Sequence, residues 1–137
     1  MDSAVLMYAA GREHPLRAPS LRFLDQVADG SIQAITSVEV VQEILHRYLS
    51  LRRPDLAKIV AKDAQDMFAP VVPITHALMR RVPVLADKYP RLQARDLVHV
   101  ATCIHEGVTE IVSPDKAFDQ VSELRRIDPT EFAVEPA

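Results

Sequence analysis

The sequence of 137 residues is poor in glycine, in cysteine and in long apolar runs. Its three glycines cannot build the Gly-rich loop that cradles phosphate groups in nucleotide-binding proteins. Its one cysteine, Cys103, cannot form an internal disulfide, so we expect a reducing, cytoplasmic location. No apolar run approaches the length of a membrane span and no segment resembles a signal peptide, so we expect no contact with a membrane.

The chain also lacks a general excess of positive charge, since its formal net charge is −3. The charge is unevenly spread: residues 101–137 carry eight acids and three bases, whereas residues 61–100 carry four acids and six bases. A role in nucleic-acid chemistry would therefore need local basic patches, or metal ions that offset the acids. The hydrophobic fraction of 48% favours one packed domain over residues 1–137.

Short apolar segments alternate with helical patterns along the chain. This alternation predicts an α/β fold in which a short parallel sheet is flanked by helices on both faces. Ligands of such sheets bind at the carboxyl ends of the strands. We predict strands at 32–36, 70–75, 109–113 and 123–129, and helices at 2–11, 20–30, 37–53, 54–69, 76–90 and 94–107.

Local signals define several of these helices. Ser20 is a candidate N-cap of helix 20–30, and Pro83 is expected to kink or split helix 76–90. Helix 37–53 has the strongest pattern, and Pro54 is expected in the first turn of the next helix. The apolar stripe predicted for helix 37–53 consists of Val38, Val41, Leu45 and Leu49.

Five acidic residues lie where the predicted fold would bind a ligand. Several carboxylates in one cleft repel each other unless they share a proton or a cation, and their oxygens suit Mg²⁺ or Mn²⁺. Such an ion can activate water and neutralise a phosphate oxygen, which is the chemistry of phosphodiester hydrolysis. The acids are Asp2 before the first helix, Glu43 beside the apolar stripe, Asp96 at the start of helix 94–107, and Asp115 and Asp119 after strand 109–113.

Simpler interpretations of these acids stay open. Asp96 and Asp115 could be ordinary helix caps, each contributing about 1 kcal/mol. Neither capping nor the helix dipole explains Glu43, which could still be an exposed helix position. A phosphotransfer protein with Asp2 or Asp115 as phosphate acceptor is another alternative, although such proteins pair the acceptor with a lysine at a strand end.

His99 and Cys103 follow Asp96 at helical spacing and could suggest a transition-metal site. Zinc sites take three or four protein ligands, usually with a second histidine or cysteine at short spacing, and that pairing is absent from this sequence. We therefore interpret His99 as a packed or supporting residue and Cys103 as a small buried hydrophobe.

Four blocks of the sequence, in this order, resemble the PIN-domain family: "DSAVLMYA", "ITSVEVVQEILHRY", "ARDLVHVATCIHEG" and "IVSPDKAFDQV". The length is similar to that of the single-domain VapC toxins of prokaryotic toxin–antitoxin pairs. The resemblance implies a three-layer α/β/α fold and a Mg²⁺- or Mn²⁺-dependent endoribonuclease that cuts structured RNA such as tRNA or rRNA. It also implies a homodimer and a cognate antitoxin, which often inserts a basic side chain into the acidic site.

The resemblance assigns roles to residues of this chain. Its four acids correspond to Asp2, Glu43, Asp96 and Asp115, and Asp119 resembles an additional acid that some members carry. Asp2, Asp96 and Asp115 would ligate the ion, and Glu43 would ligate it or orient the attacking water. Ser3 takes the place of a small hydroxyl residue that supports the first acid, and we expect His99 to support the ligands as well.

Two departures from the family pattern affect these expectations. The first acid of the family ends a central strand, whereas only Met1 precedes Asp2 here. We therefore expect that strand to be missing or to begin upstream, which would leave Asp2 poorly anchored. Ala4 also replaces an asparagine found in many members. An inactive PIN scaffold that binds an antitoxin or an RNA complex is accordingly the alternative function.

Binding of the RNA backbone requires exposed basic side chains. Arginines in the first loop, at the end of helix 37–53 and near residue 80 are the candidates, although each could equally be ordinary solvated surface. They are Arg12, Arg17, Arg47, Arg52, Arg53, Arg80 and Arg81.

Overall fold

A computed structural model describes residues 1–132 of the chain. This part consists of seven α-helices, two β-strands and two short 3₁₀ helices, the latter at Lys116–Gln120 and Pro129–Phe132. The elements are α1 (Ser3–Ala10), α2 (Arg17–Ala28), α3 (Val38–Ser50), α4 (Pro54–Met67), α5 (His76–Met79), α6 (Val82–Lys88), α7 (Ala94–His105), β1 (Glu110–Val112) and β2 (Arg125–Ile127).

Strands β1 and β2 pair in parallel, with Ile111 opposite Arg126 and Val112 opposite Ile127. Both strands lie within segments that the sequence predicts as strands. Successive side chains of a strand point to opposite faces, and Ile111 and Val112 belong to two different hydrophobic cores. The sheet therefore lies between two packed layers, which confirms the predicted α/β architecture.

Hydrogen bonds between extended backbone segments continue this parallel arrangement beyond β1. They place the chain around residue 72, the chain around residue 36, residues 1–2, β1 and β2 side by side in that order. The bonds run from Val72 N to Thr36 O (2.9 Å), from Met1 N to Ile35 O (3.1 Å) and from Asp2 N to Val112 O (3.0 Å).

Segments 32–36 and 70–75 were predicted as strands, and this prediction is wrong for most of their length. They approach each other only in an isolated parallel bridge between Ser37 and Val72. Pro70 and Pro73 flank Val72 closely, and proline has no N–H to donate to a ladder. The pairing therefore cannot extend along the second segment.

Each hydrophobic core is built mainly from one half of the chain. The first packs α1 to α4 together around Val5, Phe23 and Ile44. The second packs α5 to α7 against the chain after β1, around Val100 and Phe118. The site described below lies where elements of the two halves meet.

Three helix details differ from the sequence prediction or refine it. Helix α2 begins at Arg17, so Ser20 lies inside it rather than at its N-cap, with Pro19 in the first turn, where proline is tolerated. Pro83 follows the split between α5 and α6, as expected. In α3 the predicted stripe is wrong at both ends, because Val38 and Leu49 are exposed. Its buried face consists of Val40, Val41, Ile44 and Tyr48.

Candidate active site

Asp2 is well anchored, contrary to expectation. It occupies the N-cap position of α1, and its backbone N–H donates to β1. Its buried carboxylate accepts hydrogen bonds from Ser113 Oγ at 2.7 Å and from Ser3 Oγ at 3.3 Å. Ser113 is fully buried directly after β1. The strand end and the helix start together therefore fix the position of this carboxylate.

Glu43 and His99 face each other next to Asp2. Helix α3 carries Glu43 and α7 carries His99, and His99 Nε2 lies 2.8 Å from Glu43 Oε1 and 3.8 Å from Asp2 Oδ1. The 2.8 Å approach is close enough for an ion pair but is poorly aligned for a hydrogen bond, so both atoms are buried without a hydrogen-bond partner. Ser3 Oγ donates to the other Glu43 oxygen.

Asp96 has two roles in the structure. Its Oδ2 accepts a hydrogen bond from Gln93 N at 3.2 Å, so the side chain caps α7, as the simpler interpretation held. The carboxylate is nevertheless buried and lines the same cleft as Asp2 and Glu43. Capping and ligand binding are therefore compatible for Asp96, because only one of its oxygens is used by the cap.

Asp115 is exposed at the mouth of the cleft. Its Oδ1 accepts from Ala117 N at 2.9 Å and so caps the 3₁₀ helix that begins at Lys116. Its own N–H donates to Ser113 Oγ at 3.0 Å. Ser113 thus connects the backbone of one predicted acid with the carboxylate of another.

These side chains line one open cleft of about 750 Å³, here called the acidic cleft. All four acids of the family pattern contribute to it. Basic and neutral polar residues of α3 and α7 complete the wall, and the sequence analysis had missed most of them. The principal lining residues are Asp2, Ser3, Glu39, Glu43, His46, Arg47, Arg95, Asp96 and Asp115.

The surroundings shift two carboxyl groups of the cleft in opposite directions. Burial alone would raise the pKa of Glu43, but contact with His99, the hydrogen bond from Ser3 and the charge of Arg95 lower it overall. Burial raises the pKa of Asp96, and the charge of Asp115 adds to this effect. Glu43 is thus the carboxylate that the cleft keeps ionised most readily.

Comparison with known proteins agrees with this geometry. The family model described as "PIN domain" matches residues 1–124. This chain belongs to the PIN-domain family. It is 35% identical to Ribonuclease VapC23 of Mycobacterium tuberculosis over 122 residues, covering 87% of this chain and 90% of the relative.

Two further relatives carry similar names. Ribonuclease VapC7 of Mycobacterium tuberculosis is 33% identical over 135 residues, covering 94% of this chain and 90% of the relative. The VapC ribonuclease Mb1869c of Mycobacterium bovis is 29% identical over 127 residues, covering 93% and 97% respectively. No solved structure matches the chain significantly.

The additional acid of the PIN pattern, Asp119, lies apart from the acidic cleft. It is exposed and forms a salt bridge with Arg126, whose Nε lies 2.8 Å from its Oδ1. Arg126 also donates to the carbonyl oxygen of Ser113 at 3.1 Å. The structure therefore places Asp119 in a surface ion pair that supports the chain behind Ser113, and not among the converging carboxylates.

The PIN domain brings only some of the seven candidate arginines near the site. Arg47 lines the acidic cleft, and Arg12 and Arg53 line the cleft beside it. Arg17 is paired with Glu13. The remaining three, Arg52, Arg80 and Arg81, line neither cleft.

The candidate metal ligands differ from a zinc pattern. Within residues 1–132, the group whose ligand atoms all lie within 4.8 Å of one another is Asp2, Glu43 and His99. Cys103 is buried and free and is not part of it. None of the helices in this part of the chain combines the length and apolar character needed to cross a membrane.

Proposed function

We propose that this PIN domain is a metal-dependent endoribonuclease that hydrolyses phosphodiester bonds in structured RNA such as tRNA or rRNA. The observation that carries the proposal is the convergence of Asp2, Glu43 and His99, with Asp96 and Asp115 lining the same cleft. The names of the relatives, all VapC ribonucleases, support the same activity.

The residues fit a divalent cation. Glu43 Oε1 and His99 Nε2 are buried without hydrogen-bond partners, which is costly unless a further group satisfies them. Carboxylate oxygens suit Mg²⁺ and Mn²⁺, and imidazole is more acceptable to Mn²⁺ than to Mg²⁺. We infer that Asp2, Asp96 and Asp115 would hold the ion, with Glu43 as a further ligand.

Each residue of the cleft has a defined task in this mechanism. A bound divalent ion would supply an activated water and neutralise charge on the phosphate. Glu43, with its lowered pKa, is ionised at neutral pH and can orient the attacking water or accept its proton. Ser113 and Ser3 fix the orientation of Asp2. Arg95 and Arg47 line the cleft, where they can contact the phosphate.

Cleavage of total cellular RNA in Mg²⁺ or Mn²⁺ tests the proposal. Wild type is expected to cut discrete RNAs, and Asp96→Asn to lower the rate by about a hundredfold or more. Asp87→Asn is the matched control, because Asp87 is exposed on α6 and lines neither cleft. Equal cleavage by wild type and Asp96→Asn would show that Asp96 only caps α7 and that another activity degrades the RNA.

Binding of Mn²⁺ separates the enzyme from an inactive PIN scaffold. A ligand that binds only the folded state raises the melting temperature with its concentration. We expect Mn²⁺ to raise the melting temperature of wild type but much less that of Asp2→Asn. Absence of any shift in wild type favours the scaffold. A phosphotransfer role is disfavoured, because no lysine lines the acidic cleft within residues 1–132.

We further propose that the protein is the toxin of a VapBC-type pair, is cytoplasmic and forms a homodimer. The acidic cleft suits a basic side chain inserted by a cognate antitoxin, since such a charge would offset the converging carboxylates. Co-purification of the two proteins with loss of RNA cleavage is the expected result. Full nuclease activity in the complex would contradict inhibition through this cleft.

A further inference from the structure

A second cleft of about 840 Å³ adjoins the acidic cleft and has no part in the mechanism above. The two clefts share a wall to which Ala4, Met7, Tyr8 and Arg47 contribute. We call the second one the arginine cleft. Its chemically distinctive lining residues are Arg12, Arg47, Arg53, Tyr8 and His14.

Two of its arginines are available to a ligand. Arg12 and Arg47 are exposed and have no ion-pair partner within residues 1–132. Arg53, by contrast, is bound by Asp55 through contacts of 3.3 and 3.2 Å. Glu13, the acid that lines this cleft, is paired with Arg17. The positive charge left for a partner is therefore that of Arg12 and Arg47.

A pair of rings lies between these arginines and the acidic cleft. The ring centroids of Tyr8 and His14 are 4.6 Å apart, with 31° between the ring planes. The backbone N–H of Leu16 donates to His14 Nδ1 at 3.1 Å, which fixes the orientation of the imidazole. Such a platform can stack a nucleobase of any sequence, because every base has a π-face.

The position of the platform matches the neighbourhood of the reacting phosphate. Tyr8 follows Asp2 by six residues along α1, which is roughly 9 Å at the rise of an α-helix. This is about three stacked nucleotides at roughly 3.4 Å each. A strand whose phosphate enters the acidic cleft can therefore reach the platform without a break in the surface.

We propose that the arginine cleft binds the single-stranded RNA that flanks the cleaved phosphate. A base stacks on Tyr8 and His14, and backbone phosphates contact Arg12 and Arg47. This inference rests on the proposed nuclease function and adds the substrate class, unpaired RNA, at its site. Paired rings beside unpaired arginines favour RNA over an acidic peptide, which would use the charges but not the flat platform.

Binding without cleavage is the direct test. The probes are a short fluorescein-labelled oligo(U) RNA and an abasic ribose-phosphate strand of equal length, measured by anisotropy in EDTA over a salt series. The double variant Tyr8→Ala/His14→Ala is expected to weaken oligo(U) binding on the order of tenfold and to leave abasic binding unchanged. Tyr8→Phe keeps the ring and is expected to bind like wild type.

The arginines have a different signature. Arg12→Ala/Arg47→Ala is expected to weaken binding of both probes and to reduce the slope of log K against log salt by about 1 to 2. Lys58→Ala/Arg91→Ala is the control with equal charge loss, since both residues are exposed and line neither cleft. Melting temperatures verify that each variant is folded.

Three outcomes overturn the proposal: no oligo(U) binding by wild type, an unchanged salt slope in Arg12→Ala/Arg47→Ala, or equal losses for both probes in the ring variant. Weakened binding of a cognate antitoxin with unchanged oligo(U) binding would assign the cleft to a protein partner instead. RNA cleavage is measured separately in Mn²⁺. If wild type binds oligo(U) as expected but cuts no RNA, the nuclease proposal fails and the binding result stands.

Discussion

The acidic cleft and the arginine cleft share a wall but are built in opposite ways. In the acidic cleft Asp2, Asp96 and His99 are buried and Ser113 is fully enclosed, so neighbouring elements determine where each group points. In the arginine cleft Arg12 and Arg47 are exposed and free of ion pairs within the described chain. Chemistry at one phosphate needs preorganised groups, whereas binding along a backbone needs accessible charge with little desolvation cost.

The largest expected effect is in the acidic cleft. Glu43→Gln removes the carboxylate that His99, Ser3 and the charge of Arg95 keep ionised. We expect RNA cleavage to fall by about a hundredfold or more, because the amide is neutral and cannot accept a proton from water. Initial rates on a labelled RNA measure this.

Glu106→Gln is the control for that variant, since Glu106 is exposed at the end of α7 and lines neither cleft. If Glu43→Gln retains the activity of Glu106→Gln, the preorganised carboxylate has no part in catalysis, and the contrast between the two clefts disappears.

A smaller effect is expected one step away from the reacting groups. Ser113→Ala removes the donor to Asp2 and the acceptor for Asp115 N–H. We expect cleavage to fall by about tenfold to a hundredfold. Urea unfolding should also show a loss of about 1–3 kcal/mol, because buried polar groups are left unpaired.

Ser122→Ala serves as the comparison for Ser113→Ala, because Ser122 is exposed on the other side of the second core. Unchanged cleavage in Ser113→Ala, with the stability loss alone, would mean that Asp2 keeps its orientation without this hydrogen bond.

Asp119→Asn sharpens the boundary of the acidic cleft. Because Asp119 is exposed and paired with Arg126, we expect the cleavage rate and the Mn²⁺-dependent rise in melting temperature to stay close to those of wild type. Both readouts are measured beside Asp96→Asn. A loss of metal binding in Asp119→Asn comparable to that of Asp96→Asn would place Asp119 among the ligands after all.

The smallest expected effect concerns a carboxylate outside both clefts. Hydrogen bonds, first from Tyr89 and then from Ser122 and Lys88, lower the pKa of Glu123 to about 2 from an ordinary value of 4.5. Because the folded-state pKa is depressed, the stabilisation is complete above pH 4.5 and is lost as the pH falls towards 2.

Glu123→Gln should therefore flatten the fall in stability between pH 4.5 and 2, as measured by urea unfolding at each pH. Glu110→Gln is the comparison, because Glu110 is an exposed acid in a surface pair with Arg125. An equally steep acid transition in wild type and Glu123→Gln would mean that the Tyr89 contact does not persist in solution.

The fold could be predicted from the sequence in outline but not in its strands. Alternation of apolar and helical patterns indicated the parallel sheet, and β1 and β2 lie within predicted segments. The segment around Val72 was misjudged, because its two prolines lack the donors that a ladder needs. The exposed ends of the α3 stripe were misjudged as well, since packing against α4 and α1 selects the buried face.

The sequence by itself determined which groups were available: Asp2, Glu43, Asp96 and Asp115, in an order and spacing that identified the family. Local hydrogen-bonding rules also determined that Asp96 and Asp115 cap helices. Only the tertiary structure decided that Asp119 turns to Arg126 and that Ser113 supports Asp2. The reason is physical: local pattern sets a residue's place on its own element, whereas the approach of α1, α3, α7 and β1 sets its neighbours.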